Sequence, residues 1–207
     1  PFFSKKRKNF FRTAKEFTEK ILQSKIDSQS NIYCNNNDIN AAKIKFNITP
    51  KTKNIILAPS ASGPTKRWGI KNYIELAKEI NKITKCKFYL AGGKNDIDLI
   101  NKFKNALEDE NLLSFEKMNI KETLKYISNC DLYIGNDTGW AHISVSLKVK
   151  AITIFCDSPV AAYGSYSEKM ITVEPDGIIK GTTTHNTLGK DKVSFENVLK
   201  ESLRLLV

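Results

Sequence analysis

Asp137-Thr138-Gly139-Trp140-Ala141-His142 carries the most chemistry in the shortest span of this chain. It follows the apolar run Asp131-Leu132-Tyr133-Ile134-Gly135 and leads into Ile143-Ser144-Val145-Ser146-Leu147, which reads as strand, tight turn, helix. A helix that opens at the C-terminal end of a strand presents unpaired backbone N–H groups to the crevice above the sheet. Such an end suits an anion, most often a phosphate. Asp137 is expected to cap this helix, Gly139 to leave room for close approach, and His142 to sit one turn in. The same residues also make a good helix start with no ligand at all.

Two further segments load the same rim. The first is Pro59-Ser60-Ala61-Ser62-Gly63-Pro64-Thr65-Lys66-Arg67-Trp68, after the apolar run Asn54–Ala58. The second is Gly92-Gly93-Lys94-Asn95-Asp96, after Lys87–Ala91. Lys66 offers a point charge, Ser62 and Thr65 offer hydroxyl donors, and the glycine pair offers space for a ribose or base. A cationic loop, a glycine pair and a helix start above one sheet suit a nucleoside diphosphate. Each segment also has a plainer reading: a solvated turn whose Trp68 plugs the core, and a generic strand-to-helix turn. The chain has neither a phosphate-binding P-loop nor a G-x-G-x-x-G fingerprint.

The elements that must position these loops follow from periodicity. Asn54–Ala58, Lys87–Ala91, Asp131–Ile134 and Ala151–Phe155 read as buried parallel strands, with shorter ones at Leu112–Phe115 and Met170–Val173. Between them, residues 70–83 and 95–107 carry one apolar face each, and Asn119 with Glu122 forms a capping box before Leu124 and Ile127. Ser194 to Leu206 closes the chain as a helix. Alternating strands and helices predict an open, doubly wound α/β sheet of parallel strands. Ahead of it, residues 10–22 form an amphipathic helix with a basic face, and residues 27–53 an Asn-rich linker with a short helical piece near 38–46.

The chain has 207 residues, a net charge of +11 and four cysteines. Eight basic side chains, Lys5, Lys6 and Arg7 among them, fall in residues 1–25 against Glu16 and Glu19. Nucleic acid, an anionic membrane surface and phosphorylated substrates are the partner classes such a charge suggests. Nucleic acid is set aside, because no RNA-recognition aromatic motif, zinc spacing or helix-turn-helix is present. Cys34, Cys86, Cys130 and Cys156 have no metal-ligand spacing and read as reduced thiols of a cytosolic protein. No apolar run is long enough to span a membrane, and no apolar leader follows Pro1. A start at Pro1 reads as a fragment.

The succession Ile55-Ile56-Leu57-Ala58-Pro59-Ser60, Lys66-Arg67-Trp68, Tyr89-Leu90-Ala91-Gly92-Gly93 and Cys130 to Gly139 with His142 resembles glycosyltransferase family 9, the ADP-heptose:lipopolysaccharide heptosyltransferases. The resemblance runs over about residues 54–175 plus the closing helix. It implies one Rossmann-like half of a GT-B fold, residues 50–207, that binds a nucleotide sugar. Residues 1–49 would then be a remnant of the N-terminal acceptor domain. The donor would be ADP-heptose-like and the acceptor a lipopolysaccharide core. The enzyme would be cytoplasmic, and the resemblance places the segment at 10–22 between two domains; its basic amphipathic pattern read alone suggests instead a peripheral contact at the anionic inner face of the inner membrane. Neither cofactor nor metal is expected. By resemblance Lys66 contacts the donor phosphates and steadies the leaving group. Asp137, Thr138 and Gly139 form the diphosphate-binding helix start with His142 beside it. Met118 lies near the adenine, Asp96 at the ribose, and Ser62 in the first loop.

The chain departs from the family in four places. Ala61-Ser62 stands where a Thr pair is usual, and Trp140 replaces Pro, Leu or Met. Phe155-Cys156-Asp157-Ser158-Pro159 matches the Phe-Gly-x-Thr-x-Pro loop only loosely. The domain carrying the family's general base has no counterpart in this chain. The competing expectation is a non-catalytic nucleotide-binding fragment of a split or decayed transferase.

Overall fold

The structure is a computed structural model that describes residues 8–27, 29–107 and 111–207. Lys5, Lys6 and Arg7 of the basic segment lie outside those residues.

Six parallel strands form one sheet: β1 (Lys53–Ala58), β2 (Cys86–Leu90), β3 (Leu112–Ser114), β4 (Leu132–Asn136), β5 (Lys150–Ile154) and β6 (Met170–Val173), in the spatial order β3-β2-β1-β4-β5-β6. Helices α3 (Ile70–Ile83), α4 (Ile97–Ala106), α5 (Ile120–Ile127), α6 (Gly139–Ser146), the short α7 (Val160–Tyr163) and α8 (Phe195–Leu206) alternate with the strands. Two helices precede them, α1 (Phe10–Leu22) and α2 (Asn36–Lys45). The doubly wound parallel sheet expected from the sequence is the fold observed.

A strand covered on both faces must be apolar throughout. In β1 every residue from Asn54 to Ala58 is buried. Side chains alternate between two cores because the strand period is two. Ile55 and Leu57 face the layer of α3, α4 and α8, with Tyr73, Leu76, Ile80, Phe103 and Val198. Ile56 and Ala58 face the layer of α2, α5 and α6, with Ala42, Tyr126 and Val145. Asn119 and Glu122 close the capping box expected at the start of α5, their side chains bonding each other's backbone N–H at 2.9 and 2.8 Å. Cys86, Cys130 and Cys156 are buried free thiols.

The strand order reverses direction between β1 and β4, the first leading outward to β2 and β3, the second to β5 and β6. At such a point the flanking loops diverge and leave a crevice above the carboxyl ends of the strands. The loops that diverge here are 59–68 and 137–139.

Helix α1 stands apart, with no buried residue. It touches the rest through its first turn. Asn9 Nδ2 donates to the Gly164 carbonyl at 2.8 Å, and Arg12 donates to Ser165 O at 3.0 Å. Phe10 and Phe11 lie against Tyr163 and Tyr166. Ile21 and Leu22, 63% and 58% exposed, continue its apolar stripe into solvent.

Candidate donor-binding site

Asn136 is the joint of the crevice. It ends β4, is fully buried, and its side chain makes three hydrogen bonds to the neighbouring loop. Nδ2 donates to Pro59 O at 2.9 Å and to Ser60 O at 3.3 Å, while Oδ1 accepts the Trp68 N–H at 3.1 Å. Both ends of the Lys66 loop are thus tied to the strand that precedes Asp137. Trp68 plugs the core as its plainer reading has it: its indole N–H donates to Val193 O at 3.0 Å, and its ring meets Tyr73 edge-on. Arg67 folds back on the loop, donating through Nε and Nη2 to Ala61 O. That leaves Lys66, half-buried at the end of a 3-10 turn, as the cation directed at the rim.

Lys66 reaches the field of Asp137. Burial raises the Asp137 carboxyl above its ordinary value; the Ser158 hydroxyl, His142, Lys66 and His185 oppose that rise. Groups from four segments therefore act on one carboxylate through its electrostatic field: the β1 loop, the β4 turn with α6, the β5 loop, and the 183–188 segment that no periodicity marked. His142 Nε2 stands 3.8 Å from Asp137 Oδ1. Burial lowers the His142 pKa and Asp137 partly restores it.

Asp137 does not cap α6. The cap position falls to Thr138, whose extended backbone carries no side-chain cap bond. Its hydroxyl lies 3.3 Å from Tyr133 OH instead, which itself donates to Asn136 O at 2.9 Å. The register is one residue later than the motif suggested, so the carboxylate turns toward His142. The first N–H groups of α6 receive no cap from the chain, and a Cβ built on Gly139 would meet nothing within 4 Å. Gly135, one turn below, is needed sterically, since a Cβ there would strike Tyr133 and Ala58.

Asp157 fastens the outer wall. Burial works against its charge, yet its pKa is lowered by hydrogen bonds from Leu188 N, the Thr65 hydroxyl and the Thr187 and Asn186 backbone. Leu188 N–H reaches Oδ1 at 2.9 Å. Sequence reasoning passed over Asn136, Asp157, Ser158 and His185. A polar residue ending an apolar strand was the signal available for Asn136, the loose match of Phe155–Pro159 to the family loop was the one for Asp157 and Ser158, and His185 had none.

The remaining expected residues lie on the same rim but farther along. Asp96 Oδ2 accepts Gly93 N–H at 2.8 Å and shapes the β2–α4 turn. Met118 follows β3, half-buried, and packs with Trp140 against the core on the α5 side, where Phe115 and Trp140 rings are 5.9 Å apart. Ser62 is exposed at the crest of the Lys66 loop. Lys66, Asp137, Thr138 and His142 form one cluster; Asp96 and Met118 flank it.

A doubly wound parallel sheet with loaded loops at its carboxyl rim defines a Rossmann-like α/β domain. The sequence model of glycosyltransferase family 9 (heptosyltransferase) matches residues 9–186, and the chain belongs to that family. Lipooligosaccharide heptosyltransferase 2 of Campylobacter jejuni is 33% identical over 121 residues, covering 55% of this chain and 38% of that protein. Among solved structures, E. coli ADP-heptose lipopolysaccharide heptosyltransferase II superposes with a TM-score of 0.70 at 22% identity, over 85% of this chain and 53% of its own. E. coli heptosyltransferase WaaC, solved with ADP, superposes at 0.72 with 13% identity, over 97% of this chain and 57% of its own. The chain thus spans about half the length of these relatives, and the structures establish the shared fold.

Proposed function

We propose that this chain is the donor-binding half of a glycosyltransferase that moves a heptose from a nucleoside diphosphate, of the ADP-heptose class, to a lipopolysaccharide core acceptor. The reading is carried by the β1/β4 crevice, where Asn136 ties the Lys66 loop to the strand that leads into the uncapped start of α6. An acceptor hydroxyl attacks the anomeric carbon, the bond to the diphosphate oxygen breaks, and negative charge grows on the leaving phosphate. Lys66 and the α6 N–H groups stand where they would stabilise that charge. By analogy with an oxyanion-hole donor, one such group is worth ~3 kcal/mol in the transition state. The base that takes the acceptor proton belongs to the acceptor-binding domain. In this reading Asp96 holds the ribose, Met118 lies against the base, Ser62 supplements the phosphate contacts, and His142 turns its ring edge to the phosphate–sugar junction.

No helix among the described residues is long and apolar enough to cross a membrane. The site's setting in this reading is the cytoplasm, with α1 as a peripheral contact to anionic lipid, because its apolar stripe is solvent-exposed and its other face is basic. Co-sedimentation with anionic vesicles reads that contact directly.

Calorimetry with ADP tests the site. Lys66→Ala is expected to weaken ADP binding about tenfold, ~1.4 kcal/mol. An unchanged affinity removes Lys66 from the site and with it this reading.

A further inference from the structure

His142 is held from both edges of its ring. Nε2 looks toward the Asp137 carboxylate at 3.8 Å, and Nδ1 lies 2.8 Å from the hydroxyl of Tyr166. The Tyr166 ring stacks on the imidazole with centroids 5.6 Å apart. Tyr166 in turn stacks on Phe11 of α1 at 5.3 Å. A continuous stack therefore runs from a helix outside the sheet to the carboxylate at the crevice. Two of its contacts join residues 24 and 155 positions apart in the chain.

We propose that Tyr166 is a positioning residue for the site: its hydroxyl donates to Nδ1, fixing His142 as the Nε2–H tautomer, with Phe11 holding Tyr166 in place. The proposal deepens the donor-binding reading and rests on it. Its logic is the complementarity of the two ring nitrogens. A neutral imidazole carries one N–H and one lone pair. The anionic neighbour is on the Nε2 side, so the N–H belongs there, and the Nδ1 lone pair is left for an O–H donor. Tyr166 is such a donor at every physiological pH, its own pKa being pushed up to about 12 by burial and by Asp137. The result is a fixed N–H on the Asp137 side of the ring, ready to donate to an oxygen of the bound sugar diphosphate. The other tautomer would point a lone pair at both the carboxylate and the ligand. In this scheme α1 is part of the donor site, through Phe11, although none of its residues is buried.

The test is nitrogen-15 NMR of the imidazole rings at about pH 8, above the ordinary titration range of histidine. The chain has two histidines, so assignment needs only a His185→Gln reference. The wild type is expected to show His142 as Nε2–H, and Tyr166→Phe to show a mixture of tautomers. Phe11→Leu, which keeps the apolar contact and loses the aromatic stack, is expected to give a smaller change of the same sign and guards against a misfolded variant. Added ADP is expected to shift the Nε2 resonance of the wild type more than that of Tyr166→Phe. A His142 that is mainly Nδ1–H, or whose tautomer is the same with and without the Tyr166 hydroxyl, overturns the proposal. Failure of the donor reading shows separately, as ADP affinity that does not respond to Lys66→Ala.

Discussion

Two regions of this molecule use charge in opposite ways. At the β1/β4 crevice Asp137 feels His142 and Lys66, and Asp157 is fixed by hydrogen bonds from the 186–188 backbone. Along α1, Arg12, Lys15 and Lys20 lie on a helix with no buried residue, and its pairs, such as Lys25 with Glu19, are at the surface. Exposed pairs of this kind are screened and worth little. The net charge of +11 thus says less about function than the handful of groups that the fold removes from water. Position against a low-dielectric wall turns a lysine into a site.

The largest effect is expected from removing the Asp137 carboxylate, which His142, Lys66 and His185 all influence. Asp137→Asn deletes the interaction that raises the His142 pKa, so the His142 NMR titration midpoint is expected to fall further below its ordinary 6.5. The consequence for stability has a definite sign. A histidine whose folded pKa is lowered makes the unfolded chain the better proton binder, so stability is held above pH 6.5 and lost as pH falls through that value. Asp137, raised in the fold, acts oppositely: it favours the folded state at acid pH and loses that contribution as pH rises through its folded pKa. With the His142 pKa lower still in the variant, the acid-sensitive contribution of His142 grows. Its melting temperature is expected to drop more steeply between pH 7 and pH 5 than that of the wild type. Parallel curves would mean that Asp137 and His142 are not coupled.

A smaller effect sharpens the other side of the comparison. Vesicle co-sedimentation is expected to rise with anionic lipid, and the vesicle partition constant to fall about thirtyfold when Lys15 and Lys20 are changed to Gln, at roughly 1 kcal/mol per cation near the surface. The same changes should leave ADP affinity within about twofold, since their charges are remote from the crevice and screened. Binding that ignores lipid charge would remove the membrane role from α1.

The fold was legible because its information is local. The apolar runs at 54–58 and 131–134 are strands on the observed sheet, and the α1, α3 and capped α5 starts follow from spacing and cap chemistry. Trp68 was ambiguous in sequence, since indole suits a core or a ligand equally; its bond to Val193, 125 residues away, decides for the core. The Asp137 cap was misread because an Asp one residue before the true cap position looks the same in a linear motif. His185 and the Tyr166 contact were invisible for a shared reason. Each acts on a partner distant in sequence, and 174–193 carries no periodic pattern from which its path over the rim could be inferred. Local chemistry announces an element; the site is made by pairings between elements.

The central claim is that a diphosphate lies between Lys66 and the first turn of α6. Titrating the chain with ADP while following backbone amide resonances tests it most directly. The account predicts the largest shifts at Thr138, Gly139, Trp140 and residues 62–66, all reduced in Lys66→Ala. Shifts centred on α1 or on the β6 edge, with the Gly139 amide unmoved, would contradict it.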